Sequence, residues 1–396
     1  MQATQADHKK LHILLIYRRM IPSIILCGHA QLVLLQDRGS IEYRSCQEKT
    51  LDRKTLDWAD VVILGRLDSW YEKRLTAALR ENGKYLAYIL DDDLLNVPKG
   101  LSSSPHYLLE ETQKNIRAIM DMSHCLLSPS PKLLEKYATN GRKGILVEEP
   151  ALYQQQFHSH VPNAPVTIGF AGSLDRSSDV ESILKEALLK LRAEYGERIA
   201  FAFFGAIPEF AKALEAQTYP FCEDYPKYLE TLGGLQWDIG LAPMPGTHFH
   251  SSKHYIKFIE YASMGTVSIL SDVPPYTRLK EKGVRAMFCG NRADDWYRAV
   301  KRLVDDRGHL EELRREALGY AERLFSQDIA AETILPLTEM AHDYISGYGK
   351  MVRTPYRLTM NKGLNFIHLT VSFVKKHKWN TPQMLVKKLR ARQTKE

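Results

Sequence analysis

The sequence lacks long apolar runs, disulfide-like cysteine spacing and an apolar leader. No apolar stretch approaches the roughly 20 residues that a membrane-spanning helix needs. Five dispersed cysteines without a CxxC pair favour buried thiols in a reducing compartment over a disulfide framework or a metal site. The polar start, MQATQADHKK, has no signal-peptide core. We therefore expect a cytoplasmic protein that is at most peripheral at the inner face of the membrane.

Positive charge is concentrated at one end of the chain. The net charge is +7, but the residues from Gly347 onward contain 12 Lys and Arg and one acid. The remainder is therefore mildly acidic, and a partner attracted by positive charge is expected to meet the C-terminal segment. A hydrophobic content of 44% and a charged content of 26% are ordinary for globular domains with buried cores.

Two successive series of short apolar runs alternate with helix-like segments. The first series occupies residues 9–150, where VVILG and KYLAYIL are typical of buried strands. A polar, irregular linker at 151–164 separates it from a second series at 165–345. The alternation predicts an α/β fold with two Rossmann-like, parallel-sheet domains that face a central cleft. A basic amphipathic tail, 346–396, follows the second domain.

The segment 237–272 contains the densest group of candidate site residues. An apolar strand ends at Pro243, and Ser251 or Ser252 is suited to cap a helix that the pattern predicts over 252–264. At 100° per residue, one face of that helix carries three charged side chains, namely Lys253, Lys257 and Glu260. The other face is apolar and is expected to pack in the core.

The layout of this charged face suits a nucleotide. The first turn of a helix offers unpaired N–H groups and a positive dipole end, and Lys253 adds charge there. Glu260 follows about 10 Å along the axis, where its carboxylate could accept hydrogen bonds from two ribose hydroxyls. The alternative interpretation is an exposed face with a Lys257–Glu260 pair of little energetic weight.

These residues resemble a known pattern. The spacing Lys253-x-x-x-Lys257-x-x-Glu260-Tyr-Ala-x-x-Gly265, followed by SDVPPY at 271–276, resembles the donor-binding segment of family-four-like GT-B glycosyltransferases (glycosyl transferases group 1). IGFAGSLDR at 168–176 and the FFG that ends the next strand look like the first two strands of the same domain. The resemblance is specific over roughly 165–330 and looser over 10–150.

The resemblance implies transfer of a sugar from a nucleotide-diphosphate donor to a hydroxyl acceptor, with retention and without a cofactor or an obligatory metal. It implies that Glu260 holds the ribose and that Lys253, with the amides around Ser251 and Ser252, holds the phosphates. Lys257 belongs to the same donor-binding set. Two further residues, Gly172 and Ser173, would let the diphosphate approach the backbone.

One position departs from the family pattern. Many members have a glutamate eight residues before the second one, where this chain has Ser252. That glutamate normally serves the transferred sugar, so the sugar remains open. Arg176, four residues after Gly172, is a candidate for neutralising the leaving diphosphate, because charge grows there in the transition state. Lys253 is the second catalytic candidate on this side; a surface arginine is the alternative for Arg176.

The first half supplies the acceptor-side candidates. Arg66 follows the strand VVILG directly, and Asp91, Asp92 and Asp93 follow KYLAYIL. Carboxyl ends of parallel strands border the ligand crevice, so we expect Arg66, Asp91 and Asp93 to face the acceptor. Asp92 is taken as a catalytic base for an acceptor hydroxyl. A solvated acidic turn is the alternative.

Two rival functions remain open. The D-x-D spacing of Asp91 and Asp93 is also typical of GT-A transferases, whose carboxylates hold a divalent metal against the donor. A non-catalytic protein that binds a nucleotide sugar or a glycan is the second rival, because Ser252 replaces an acidic residue.

The tail combines Lys and Arg with apolar residues, as in LNFIHLTVSFVKKHKW. This pattern favours binding of residues 347–396 to an anionic membrane surface, and packing on the body is the alternative. Nucleic acid is not expected, because no recognition fold accompanies the charge. A lipid-linked acceptor, as in the assembly of cell-surface glycans or polysaccharides, would fit the membrane interpretation.

Overall fold

The structure is a computed structural model that describes residues 10–154 and 164–348. It contains two six-stranded sheets, and every strand pair in both sheets is parallel. The α/β fold with two parallel-sheet domains is therefore confirmed.

The first sheet has the strand order β2-β1-β3-β4-β5-β6. Its central strands are buried along their whole length, as expected when helices cover both faces of a parallel sheet. The strands are β1 His12–Tyr17, β2 Glu42–Gln47, β3 Val61–Gly65, β4 Tyr85–Ile89, β5 Cys125–Ser128 and β6 Lys143–Leu146.

The helices of the first half alternate with these strands. Ser69 caps α4 and forms a capping box with Glu72, which fixes the start of that helix. A π-helical turn, Ile25–His29, joins α1 to α2. The helices are α1 Pro22–Ile24, α2 Ala30–Asp37, α3 Arg53–Trp58, α4 Trp70–Glu81, α5 Ser104–Tyr107, α6 Glu110–Met122 and α7 Pro131–Tyr137.

The second sheet has the order β12-β11-β10-β7-β8-β9. The short edge strand β9 was not expected from the sequence, because three residues without strong apolar alternation give no strand signal. The strands are β7 Val166–Gly172, β8 Ile199–Gly205, β9 Gln217–Tyr219, β10 Ile239–Ala242, β11 Val267–Ser271 and β12 Met287–Cys289.

The longer helices of the second half bury apolar residues at helical spacing. In α8 the buried positions include Val180, Ile183, Leu184 and Ala187, and they join the core cluster beneath the second sheet. The helices are α8 Ser177–Tyr195, α9 Tyr225–Gly234, α10 Ile256–Ser263, α11 Thr277–Glu281, α12 Ala293–Asp305, α13 Arg307–Phe325 and α14 Gln327–Tyr348.

The last helix differs from the sequence-based domain boundary. We assigned residues up to 345 to the second domain, but α14 packs in the core of the first, through buried residues that include Ile334 and Leu337. Apolar periodicity identifies a helix and its buried face, but it does not identify which of two sheets that face covers. The chain returns to the first domain beside its first crossing, where the Ala151 N–H donates to the Phe325 carbonyl oxygen at 2.7 Å.

Two sequence-based segments lie largely outside the described residues. Only 151–154 and Ala164 of the predicted linker, and 346–348 of the predicted tail, are described.

Candidate functional site

The carboxyl ends of the two sheets face each other across a crevice. The chain order reverses between β1 and β3 in the first sheet, and between β7 and β10 in the second. In open parallel sheets, ligands bind beside such reversals. Contacts across the crevice include the pair of Lys253 with Asp92 and those of the Asp175 carboxylate, which accepts hydrogen bonds from Ser102 N–H and Oγ at 3.0 and 2.8 Å.

Arg66 lies at the reversal in the first sheet. It follows β3 directly and has a φ of 52°, a left-handed conformation that is uncommon outside glycine. Its guanidinium donates to Asp91 Oδ2 at 3.0 Å and to the Tyr107 hydroxyl at 3.2 Å. Arg66 and Asp91 therefore lie together, as an ion pair at the carboxyl edge of the first sheet.

Asp92 and Lys253 form an ion pair between the domains. Lys253 Nζ lies 2.7 Å from Asp92 Oδ1, and about a quarter of each side chain is exposed, 26% and 23%. Burial by itself would raise the pKa of the Asp92 carboxyl, but Lys253 and Arg66 lower it below its ordinary value. The structure thus joins an acceptor-side candidate to a donor-side candidate.

Asp93 points elsewhere. Its carboxylate is fully buried and accepts hydrogen bonds from Lys136 Nζ at 2.8 Å and from the Tyr137 hydroxyl at 2.5 Å, both at the end of α7. The buried carboxylate of Asp93 therefore holds the end of α7 and is not exposed towards an acceptor, as the sequence predicted it would be. The two carboxylates of the D-x-D spacing face different cationic partners.

The carboxyl edge of the second sheet is built from close backbone contacts. A Cβ on Gly205, which has a φ of +80°, would lie 2.2 Å from the carbonyl oxygen of Gly172 on the neighbouring strand. Only glycine fits at that position. Ser173 follows Gly172 and is exposed. Glycine at 205 therefore allows the close approach of the two strand ends, and the role of Gly172 and Ser173 in admitting a diphosphate stays a prediction.

Arg176 connects the two strands at the second reversal. Its guanidinium donates to the carbonyl oxygen of Pro243, after β10, at 2.5 Å, and its Nε lies 3.0 Å from Asp179 Oδ2. The side chain is 18% exposed. Arg176 therefore has a fixed orientation at the edge where β7 and β10 end, rather than a free surface position.

The helix predicted over 252–264 begins later than expected. A 3₁₀ turn covers His250–Ser252, Lys253 is extended, and α10 starts at Ile256. The hydroxyls of Ser251 and Ser252 both donate to the His248 carbonyl oxygen, so neither caps the helix. Lys253 therefore precedes the helix, and the prediction that it shares a helix face with Glu260 is wrong. The serines that suggested a helix cap stabilise a turn instead, because serine side chains also bond to nearby backbone groups.

Glu260 is buried, with 4% exposure, and its carboxylate is held on three sides. It accepts hydrogen bonds from the Tyr225 hydroxyl at 2.9 Å, the Tyr228 hydroxyl at 3.0 Å and Lys257 Nζ at 2.6 Å. A carboxylate has about four acceptor positions, so roughly one remains for a ligand. The role of Glu260 in holding a ribose stays a prediction.

A buried charged cluster next to Lys253 was not predicted from the sequence. The His254 ring lies between the domains, with Nδ1 2.7 Å from Glu149 Oε2 and Nε2 3.3 Å from Glu148 Oε1. Burial would lower the pKa of His254, but the two glutamates raise it above its ordinary value. These contacts hold the chain next to Lys253 in its extended conformation. The adjacent acids Glu148 and Glu149, which follow β6, are the sequence feature from which this cluster could have been predicted.

The described residues contain neither a candidate membrane span nor a candidate metal site. Within residues 10–154 and 164–348, no helix has the length and apolar character to cross a bilayer. In the same residues, no group of three or more His, Cys, Asp or Glu side chains is arranged to hold a metal ion.

Solved structures share this architecture, although no family model and no curated protein matches the chain. Sucrose-phosphate synthase from Thermosynechococcus elongatus matches with a TM-score of 0.57 and 13% identity, over 84% of this chain and 99% of that one. HepE from Anabaena, in complex with UDP-glucose, matches with a TM-score of 0.55 and 12% identity, over 83% and 100%.

A third structure, a Listeria monocytogenes protein described as a UDP-N-acetylglucosamine 2-epimerase, matches with a TM-score of 0.52 and 13% identity, over 87% and 98%. The chain therefore has the GT-B fold, and the GT-A architecture weighed from the D-x-D spacing is wrong. Because one fold hosts different chemistries, function has to be argued from the site.

Proposed function

We propose that the chain is a glycosyltransferase that moves a sugar from a nucleoside diphosphate donor to a hydroxyl acceptor. The observation that supports the proposal is the Lys253–Asp92 pair, in which the proposed donor-side cation and the proposed acceptor-side carboxylate lie 2.7 Å apart in the interdomain crevice. The resemblance of solved GT-B structures, some bound to UDP or UDP-glucose, supports the donor class.

The donor side has the charge that a diphosphate requires. Arg176 Nε lies 3.0 Å from Asp179 Oδ2, and Arg176 and Lys253 both act to lower the pKa of the Asp179 carboxyl, so two cations serve this side of the crevice. Ser173, exposed at the carboxyl edge of β7, lies at the position where the resemblance implies that the diphosphate approaches the backbone. Charge-assisted contacts of this kind are short and strong, and they suit phosphate oxygens. Glu260 would use its remaining acceptor position for a ribose hydroxyl.

In the reaction, the bond between the anomeric carbon and the diphosphate oxygen breaks, and a bond to the acceptor oxygen forms. Negative charge grows on the leaving diphosphate, where Lys253 and Arg176 stabilise it. The acceptor proton passes to that phosphate or to Asp92. Diphosphate binding draws Lys253 away from Asp92, which raises the pKa of the Asp92 carboxyl and makes it a better hydrogen-bond acceptor for the incoming hydroxyl.

We propose retention at the anomeric carbon. Since Lys253 and Asp92 are close enough to touch before a donor binds, a diphosphate at Lys253 and an acceptor hydroxyl at Asp92 would lie on the same side of the sugar ring, as front-face transfer requires. Anomeric coupling constants of the product, measured by NMR, test this proposal. A product of inverted configuration would remove the retaining assignment without affecting the donor class.

The acceptor and the location are also proposals. Arg66 and Asp91 offer a paired cation and anion for acceptor hydroxyls, and the basic tail 347–396 suits an anionic lipid surface. We propose a glycan or lipid-linked acceptor in polysaccharide assembly, without a cofactor or an obligatory metal, at the cytoplasmic face of a membrane. Equal flotation with anionic liposomes of the full chain and of a chain ending at residue 346 would remove the membrane part.

The donor assignment is tested by a thermal-shift screen of nucleotide sugars, because a ligand that binds only the folded state raises the melting temperature. Donor hydrolysis or transfer is then measured for the best ligand, with and without EDTA. We expect activity in both conditions. Binding without turnover of any acceptor or of water would instead support a non-catalytic binding protein, and activity lost in EDTA would require a metal.

A further inference from the structure

His250 is a buried histidine at the crevice that none of the assigned roles uses. It is 8% exposed and lies in the 3₁₀ turn that precedes Lys253. Its Nε2 lies 3.8 Å from Asp179 Oδ2, which is beyond hydrogen-bond distance. The same Asp179 oxygen lies 3.0 Å from Arg176 Nε, and Lys253, three residues after His250, lies 2.7 Å from Asp92 Oδ1, so the ring is close to the candidate phosphate-binding cations and to the acceptor side.

The hydrogen bonds around the ring determine its tautomer. Thr247 Oγ1 accepts the backbone N–H of His250 at 3.3 Å and lies 2.7 Å from Nδ1. Because the Thr247 oxygen already accepts the backbone N–H, its hydroxyl is suited to donate to Nδ1, and the Asp179 carboxylate faces Nε2. Both contacts favour the tautomer with the ring proton on Nε2.

The ring is also neutral near pH 7. Burial lowers the pKa of His250 to about 4, and the neighbouring charges of Arg176 and Lys253 contribute to the decrease, partly opposed by Asp92. A neutral N–H donor beside two cations adds no charge to compete for the diphosphate. Its Nε2–H can therefore serve as a hydrogen-bond donor to a neutral oxygen of the ligand, such as a sugar hydroxyl.

We infer that His250 Nε2–H donates a hydrogen bond to a hydroxyl of the transferred sugar and thereby helps to select that sugar. The inference rests on the proposed function, because it takes the diphosphate to lie at Lys253 and Arg176. The sugar, attached to that diphosphate and facing the acceptor side at Asp92, then occupies the space between these charges. Ser252, 3% exposed and donating to a backbone carbonyl, supplies no carboxylate there.

The test is calorimetric titration with three matched pairs: UDP and UDP-glucose, GDP and GDP-mannose, and ADP and ADP-glucose. For the pair that the wild-type chain binds best, His250→Ala should weaken nucleotide-sugar binding by roughly threefold to tenfold, the effect of one neutral hydrogen bond. The Kd of the nucleoside diphosphate alone should stay within about twofold. His250→Gln, which keeps an N–H donor, should lose less than His250→Ala.

The outcomes separate the inference from the proposed function. If no pair binds the wild-type chain, the proposed function fails and the inference with it. If both ligands of the pair weaken equally in His250→Ala, or neither weakens, the inference alone is overturned. Nitrogen-15 NMR of the imidazole gives a further readout: we expect a neutral ring protonated at Nε2 at pH 7 in the wild-type chain. A proton on Nδ1, or a charged ring, would also overturn it.

Discussion

Lys253 Nζ of the second domain lies 2.7 Å from Asp92 Oδ1 of the first, and this ion pair spans the crevice where the two sheets face each other. In the absence of a donor, the ammonium group of Lys253 is paired with Asp92. A diphosphate, which carries more negative charge than one carboxylate, competes for the same ammonium group. The proposed reaction therefore begins with an exchange of partners at Lys253.

Lys253→Ala is expected to weaken binding of the nucleoside diphosphate by tenfold or more, which corresponds to about 1.4 kcal/mol. A charge-assisted contact to phosphate is lost, and Asp92 is left facing the crevice alone. Isothermal titration calorimetry measures the change. Lys185→Ala is the matched control, because Lys185 is an exposed lysine of the same domain that pairs with Glu181.

Asp92→Asn distinguishes the effect of Asp92 on donor binding from its effect on transfer. The variant releases Lys253 from a competing charge, so diphosphate affinity should stay equal or increase while the transfer rate falls. Equal affinity in Lys253→Ala and in the wild-type chain would contradict the assignment of Lys253 to the phosphates.

Glu260→Gln is expected to reduce both donor affinity and stability. The charge-assisted bond to Lys257 and the bonds from two tyrosines are weakened in a buried site, at a cost of about 1.5–3 kcal/mol in the free energy of unfolding. Urea unfolding and calorimetry measure the two effects. Tyr225→Phe, which removes one of these bonds, should cost about 1 kcal/mol and leave donor affinity within about twofold.

Gly205→Ala is expected to disturb the edge at which the diphosphate would bind. The new Cβ would lie 2.2 Å from the Gly172 carbonyl oxygen. The combined strain should cost roughly 3 kcal/mol or more in the free energy of unfolding. Gly283→Ala is the control, because Gly283, at the end of α11, also has a positive φ, +72°, but has nothing within 4 Å of its Cβ. It should cost only about 1 kcal/mol, as measured by urea unfolding.

The ion pairs of His254 with Glu148 and Glu149 predict that the stability of the chain depends on pH. Burial would raise the pKa of Glu148, but His254 and Lys282 lower it to about 2, so its contribution is present above the ordinary value of 4.5 and is lost as the pH falls towards 2. The raised pKa of His254 gives stability below its ordinary value of 6.5, and this is lost as the pH rises through the folded-state value.

The melting temperature of the wild-type chain and of His254→Gln, followed from pH 3 to 9, measures this contribution. The difference between them should be largest between about pH 4.5 and 6.5 and should shrink on both sides. A difference that is constant over the whole range would show that His254 is held by packing alone.

Apolar periodicity was sufficient to predict the two sheets, because buried parallel strands such as VVILG and YLAYI are distinct in sequence. It placed Arg66, Asp92, Arg176 and Lys253 near the crevice, because they follow strands or a strand-to-helix loop. These positions depend on local sequence and on the general geometry of parallel sheets.

The remaining features depend on contacts between distant segments. The start of α10 at Ile256 is determined by the serine turn and by His254 held between two glutamates of the other domain. The burial of Asp93 depends on α7, and the packing of α14 depends on a sheet more than 180 residues earlier. None of these partners is visible in a local pattern.

The most direct test is a structure of the chain with the tightest-binding nucleoside diphosphate. The account predicts that Lys253 Nζ has left Asp92 and lies within about 3 Å of a phosphate oxygen, with Arg176 beside the same diphosphate. A diphosphate bound elsewhere, with the 2.7 Å contact between Lys253 and Asp92 intact, would contradict it.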